Sequence, residues 1–197
     1  FEAKDGDALH AAASELPWER WLAPEGSLAV QAQSHLSVLD HTQFAEQRVK
    51  DAIVDRFRAR TGTRPSVDRD DPDLRVHLHL YKDRATLALD TSGEPLHKRG
   101  WRKHQGRAPL AENLAAALLA FSRWDERSPL VDPFAGSGTI LIEAAWRAAG
   151  LAPGHRRAFG FERWLDHDAR GYAAFRAREL APPPKRRMPV LLGLELD

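Results

Sequence analysis

Apolar and polar positions along the chain follow two different periods, and each change of period marks an element. Ala8 to Glu15 is a short helical run ended by Pro17. Trp18 and Trp21, three apart with Leu22 beside them, are expected to anchor that helix end at a core edge; a stacking platform for bases is the alternative. Leu28, Val30 and Ala32 interleave with Ala29, Gln31 and Gln33, which predicts a strand. A long helix follows, capped by Thr42 and running through Arg60, with Ala45, Val49, Ala52, Ile53 and Phe57 as its apolar stripe. Glu46 stands four residues after Thr42 rather than at the capping-box position, and Gly62 with Pro65 ends the element. Val67 to Asp73 reads as a polar loop. Beyond it Val76, Leu78 and Leu80 alternate with His77 and His79, Lys82-Asp83 turns the chain, and Thr86 to Leu89 returns as a second strand.

After an irregular basic stretch from Asp90 to Gly100 the pattern changes. Pro109 suits the first position of a helix that runs to about Phe121, because its missing N–H has no partner there anyway. Leu130-Val131 is a short buried strand, Asp132 to Gly138 a loop, and Thr139 to Ala149 a helix stopped by Gly150 and Pro153. Ala169 to Leu180 is another helix, Pro182 to Pro184 a rigid break, and Val190 to Leu192 a second apolar strand, expected to lie parallel to the first. Helix, strand, glycine-rich turn, helix, helix, strand is the opening of a doubly wound α/β sheet. The fold class is therefore α/β, with a compact module over residues 1–90, a basic linker over 91–108 and the start of a Rossmann-like domain over 109–197.

Composition narrows the function classes. There is no cysteine, which removes disulfides, thiolate catalysis and cysteine-held metal, and fits a cytoplasmic location. The nine histidines are scattered without acidic partners at metal-site spacing, so no metal is expected. The longest apolar stretch, Leu110 to Phe121, is broken by Glu112 and Asn113, which speaks against a membrane span. No basic segment and cleavage site point to a signal peptide, and the opening on Phe1 leads us to expect trimming from a longer protein. The net charge of +1 says little, but its distribution says more. Between Pro95 and Leu110 stand five basic residues, Lys98, Arg99, Arg102, Lys103 and Arg107, and no acidic one. Such a patch can hold a polyanion, or it can be a solvated surface. Between His155 and Arg187 nine basic residues face four acidic ones, with the same two readings.

Asp132-Pro133-Phe134-Ala135-Gly136-Ser137-Gly138-Thr139 carries the candidate chemistry. A strand ending in a carboxylate, a turn on two near glycines and a helix start together form a ligand crevice with free N–H groups. The segment lacks the lysine of a Walker phosphate loop, and Leu141 stands where a dinucleotide fingerprint needs its third glycine. The second strand leads to Gly193-Leu194-Glu195, so a carboxylate arrives on the same rim, 63 residues after Asp132. An acid there can accept both hydroxyls of a ribose. Glu143, one turn into the helix, fits capping and dipole compensation as well as ligand contact, and Asn113 a local backbone hydrogen bond.

These segments, in this order, resemble one family. Leu89 to Arg102 and Ala108 to Ala116 look like the linker of bacterial large-subunit ribosomal RNA guanine-N2 methyltransferases of the RlmL type. Asp132 to Thr139 with Ile142 to Ala145 resembles their SAM-binding motif, and Gly193-Leu194-Glu195-Leu196-Asp197 the acidic motif after it. Val49 to Phe57 and Arg64 to Val67 resemble their THUMP domain. The resemblance implies SAM as cofactor, bound by Asp132, Phe134, Gly136, Gly138, Thr139 and Glu195, with Asp132 anchoring the loop and Glu195 holding the ribose. It implies structured RNA, large-subunit ribosomal RNA above all, as partner, met by Lys98, Arg99, Trp101, Arg102, Lys103 and Arg107; Trp101 either stacks on a base or packs the linker. Three departures stand out. The family commonly has tyrosine where Trp101 stands and aspartate where Glu195 stands. Its catalytic Asn/Asp-Pro-Pro-Tyr/Phe loop has no match here, since Pro182-Pro183-Pro184 precedes the second strand and lacks the aromatic. N2-methylation of a guanine is therefore expected of an intact protein, not of these residues alone. A non-catalytic module for structured RNA, a methyltransferase for tRNA or DNA, and a nucleotide-dependent oxidoreductase are the alternatives.

Overall fold

A computed structural model describes residues 1–102, 109–180 and 187–195. It divides into two compact units: Phe1–Gly93 with Phe159–His167, and Glu94–Ala158 with Asp168–Asp197.

The first unit is a four-stranded sheet under helices. Its strands are β1 (Ser27–His35), β2 (Ser66–Val67), β3 (Leu74–Tyr81) and β4 (Arg84–Leu89), and its helices α1 (Gly6–Ser14) and α2 (Thr42–Thr61). The order is β2-β1-β3-β4, with β1 parallel to both neighbours and β3 antiparallel to β4. Alternation decides the buried face: Leu74, Val76, Leu78 and Leu80 point into the core, while Arg75, His77, His79 and Tyr81 point away from it. Each buried aliphatic side chain contributes about 1.5–3 kcal/mol. Trp18 is a core residue, 1% exposed, and its indole N–H donates to the Ala13 carbonyl at 2.7 Å, closing the end of α1.

Two local features differ from the sequence reading, the cap of α2 and the short strand β2. The cap of α2 is His41, whose Nδ1 accepts from the Phe44 N–H at 3.1 Å, so Thr42 is already helical. Glu46 reaches instead to the Ala32 N–H on β1, at 3.0 Å. Where the polar loop was expected to begin, at Val67, the chain is still a strand: Ser66–Val67 pairs with Ser27 and Leu28 as β2. The Lys82-Asp83 turn works without glycine by placing both residues at positive φ, +48° and +58°. In addition, Phe159–His167 belongs to this unit: Trp164 packs against its core, and the Leu165 N–H donates to the Trp21 carbonyl at 3.1 Å.

The second unit contains α3 (Glu112–Phe121), β5 (Leu130–Asp132), α4 (Thr139–Ala149), α5 (Ala169–Glu179) and β6 (Leu191–Gly193). Strands β5 and β6 pair in parallel, Leu130 with Leu191 and Asp132 with Gly193, as the pattern predicts. Helix α3 starts later than Pro109, after Ala111, which has no side-chain cap. Small residues let α3 and α4 approach: Ala115, Ala144 and Ala148 are buried between larger side chains. Among the described residues no helix is long and apolar enough to cross a membrane.

Candidate cofactor loop and its basic linker

The turn from β5 into α4 is built by its own backbone. Asp132 Oδ1 accepts the Phe134 N–H at 3.1 Å, a carboxylate turn that anchors the loop at its first residue. Gly136 and Gly138 lie at φ +52° and +74°, in the left-handed region that a side chain disfavours. A Cβ added to either would meet nothing within 4 Å, so backbone conformation rather than crowding requires glycine, and the space before both is open.

Strand β6 reaches the loop at its far end. The Leu194 N–H donates to the Asp132 carbonyl at 2.9 Å, and the Ala135 N–H donates to the Leu194 carbonyl at 2.8 Å. Glu195 Oε2 then accepts the Gly136 N–H at 2.7 Å. The sequence-predicted Asp132, Gly136 and Glu195 are therefore brought together on one rim. Gly193 makes this approach possible, since a Cβ there would lie 2.6 Å from Leu141 Cδ1 and 2.9 Å from Ala135 Cβ.

Where the loop enters α4, the N–H groups of Ser137, Thr139, Ile140 and Leu141 find no acceptor among the described residues, and Gly138 offers no capping side chain. Free N–H groups at a helix start suit an anionic or hydroxyl-bearing ligand. Phe134, 86% exposed, adds an apolar surface at the same rim. Thr139 is buried, and its hydroxyl accepts from Arg102 Nη2 at 3.0 Å.

The basic linker divides by burial. Lys98 is exposed and pairs with Glu94 at 2.5 Å. Arg99 is turned into the unit, with Nε 3.3 Å and Nη2 3.5 Å from the two Glu143 oxygens, and side-chain exposures of 12% and 5% for the pair. Among the described residues the Glu143 carboxylate neutralises Arg99 and accepts no helix N–H. Arg102 is enclosed equally: Nε donates to Glu112 Oε1 at 3.0 Å, Nη2 to the Leu110 carbonyl at 2.9 Å and to Thr139 Oγ1 at 3.0 Å, and Nη1 to Ser137 Oγ at 3.2 Å. The guanidinium also lies 5.0 Å from the Trp101 ring centre, and the Trp101 indole N–H is buried without an acceptor among the described residues. For Arg99 or Arg102 to reach a phosphate, each would have to leave its carboxylate. Lys103 and Arg107 lie outside the described residues.

Sequence reasoning missed Ser137 and Glu112 as partners of Arg102. The available signal was a glutamate at the start of an otherwise apolar helix, since a buried carboxylate requires a cation.

A parallel strand pair with a glycine turn, free helix N–H groups and a rim carboxylate defines a nucleoside-binding α/β domain. Comparison with known proteins makes the class specific. Residues 3–90 match the THUMP domain, and residues 99–197 match the RMKL-like methyltransferase domain. The chain belongs to this methyltransferase family. It is 45% identical, over 204 aligned positions, to ribosomal RNA large subunit methyltransferase K/L of Syntrophotalea carbinolica, covering all of this chain and 29% of that protein. The chain thus spans under a third of the length of that relative. Among solved structures it resembles a predicted N6-adenine-specific DNA methylase from Listeria monocytogenes, with TM-score 0.82 and 33% identity over all of this chain and 52% of the other. It also resembles the putative methyltransferase SMU.472 complexed with SAH, with TM-score 0.74 and 29% identity over 99% of this chain and 59% of the other.

Proposed function

We propose that the protein containing this chain methylates the N2 amine of a guanine in large-subunit ribosomal RNA, using SAM. The observation that carries the reading is the loop itself: two left-handed glycines facing open space, four N–H groups without an acceptor among the described residues, and Glu195 on one rim. These residues fit SAM. Glu195 spends one oxygen on Gly136 and keeps acceptor capacity for a ribose diol, the glycines allow close approach, and the free N–H groups suit the amino-acid carboxylate. Phe134 offers an apolar surface beside them. The bound cofactor supplies an electrophilic methyl group; this chain's residues hold and orient it.

The THUMP module and the similarity to ribosomal RNA methyltransferases support RNA as the partner, recognised by shape and charge. Lys98 is the exposed linker cation among the described residues of Lys98 to Arg102; in sequence Lys103 and Arg107 continue the basic run. The base must leave its stack to be modified, at a cost of a few kcal/mol. Residues 1–197 contain no Asn/Asp-Pro-Pro-aromatic loop to hold the amine, so we further propose that they do not transfer methyl by themselves. A cytoplasmic location accords with an RNA substrate.

The test is transfer of radiolabelled methyl from SAM to unmodified ribosomal RNA by the full-length protein, followed by nucleoside mass spectrometry. N2-methylguanosine is the expected product. Label in adenine, or label appearing only with tRNA or DNA, would replace the substrate assignment.

A further inference from the structure

In the first unit, strand alternation buries one face of the sheet in the core and turns every second side chain to the other face. The pairing of β1 with β3 and of β3 with β4 sets those outward side chains in three rows: His35–Tyr81–Arg84, Gln33–His79–Thr86 and Gln31–His77–Ala88. All nine residues are exposed. A solvated face ordinarily mixes carboxylates with cations. Here none of the nine is acidic, and four carry a planar ring, including three of the chain's nine histidines.

The rings form ordered surfaces. His35 and Tyr81 lie 7° from parallel with centroids 5.9 Å apart, and the Lys82 ammonium stands 5.2 Å from the centre of the Tyr81 ring. The bordering acids are engaged. Glu2, opposite Arg84, gives its carboxylate to Lys4 at 3.7 Å; Asp90 lies 3.6 Å from His77 and also accepts the Ser92 N–H at 2.8 Å. Lys82 and Arg84 pair with no carboxylate among the described residues. Such a face complements a polyanion. Rows stand about 6.7 Å apart and strands about 4.8 Å, which gives room for two or three unstacked bases.

We propose that this open sheet face, centred on His79 and Tyr81, binds single-stranded RNA by base stacking. The inference rests on the RNA reading given above and names the surface and the state of the RNA: unpaired bases of a loop or bulge. Imidazole and phenol rings stack on a base whatever its identity, because every base has a π-face. Gln31 and Gln33 present both donors and acceptors to base edges, while Lys82 and Arg84 meet phosphates at one end. Paired bases keep their faces inside the helix and have nothing to offer these rings. Trp18, the platform suggested by sequence spacing, is buried in the core and takes no part.

The test is fluorescence anisotropy of the full-length protein with a labelled oligouridylate of about ten nucleotides, at several salt concentrations. His79→Ala with Tyr81→Ala should weaken binding about tenfold or more with an unchanged log–log salt slope, since stacking and not charge is lost. Tyr81→Trp, which keeps a flat ring, should stay within about threefold of the unaltered protein. Arg84→Ala should lower the slope by about 0.7, the value of one phosphate contact on a single strand. Arg58→Ala, an exposed cation on α2, should change neither quantity. Unlabelled duplex RNA of the same length should compete at least about tenfold more weakly than unlabelled oligouridylate. Equal binding by the His79→Ala, Tyr81→Ala protein would overturn the proposal, as would equal competition by duplex or an equal loss in Arg58→Ala. Binding of ribosomal RNA but not of oligouridylate by the unaltered protein would overturn it and leave the RNA reading standing. Binding of neither would sink the RNA reading, and the proposal with it.

Discussion

Replacing Arg99 by alanine separates an internal role from a contact with RNA. The side chain faces Glu143 across contacts of 3.3 and 3.5 Å, and the carboxylate is only 5% exposed. Removing one partner of a buried pair costs about 3–5 kcal/mol, because the other charge remains desolvated. The contacts are long for charge-assisted hydrogen bonds, and among the described residues Arg99 makes one further bond, to the Leu96 carbonyl at 3.3 Å. We therefore expect a smaller loss, about 2–3 kcal/mol. The loss should appear in the opening free energy of α4, which carries Glu143. Hydrogen exchange of peptides covering Thr139–Ala149 reads that opening directly and needs no two-state unfolding of a multidomain protein. Replacing both partners, Arg99→Met with Glu143→Leu, should recover the protection to within about 1 kcal/mol, since a neutral pair leaves no buried charge. The single change should not alter the salt dependence of RNA binding. A shift below about 0.5 kcal/mol in α4 would refute the reasoning and return Arg99 to the solvated, phosphate-facing set.

Other expectations follow from individual contacts. Glu19 is held down from 4.5 to about 2, chiefly by the Arg56 hydrogen bond with help from the charges of Arg56 and Arg60, against burial. A depressed carboxylate stabilises the fold fully above its unfolded value and loses that contribution as pH falls toward 2. Because the side chain is 34% exposed, Glu19→Gln should cost only about 1 kcal/mol at pH 7 and nothing near pH 2, measured by urea unfolding at both pH values. Gly193→Ala should lower the melting temperature and cost about 1–3 kcal/mol, because Leu141 can turn aside but the Ala135 Cβ, 2.9 Å away, is fixed to the loop backbone. His41→Ala should cost about 1 kcal/mol of α2 stability, read from exchange of its first turn.

Much of this fold is legible in local periodicity. The buried row of β3, the stripe of α2, the start of α4 at Thr139 and the parallel pairing of β5 with β6 follow from spacing and from the glycine turn. The candidate loop was legible for the same reason: its glycines and Asp132 lie close together in sequence, and the geometry they impose is local. What escaped depends on contacts distant in sequence. Arg99 and Glu143 are 44 residues apart, and Arg102 and Thr139 are 37 apart. In sequence such arginines read as an open basic run, because nothing local separates a solvated guanidinium from one neutralised by a later helix. Phe159–His167 was equally hidden, since its place in the first unit depends on Trp164 finding a core built before residue 90. The exchange of Thr42 for His41 as the cap of α2 was a smaller miss, of one position, because imidazole is a less habitual cap than hydroxyl.

We propose that the Asp132 to Thr139 loop and Glu195 hold SAM. Equilibrium binding of radiolabelled SAM to the full-length protein and its Glu195→Ala variant, with unlabelled NAD as competitor, tests it most directly. A carboxylate that receives ribose hydroxyls contributes about 1.5–3 kcal/mol, so the variant should bind roughly 10- to 150-fold more weakly, and NAD should not displace the label. Equal binding by the two proteins, or displacement by NAD at concentrations comparable to SAM, would contradict the account.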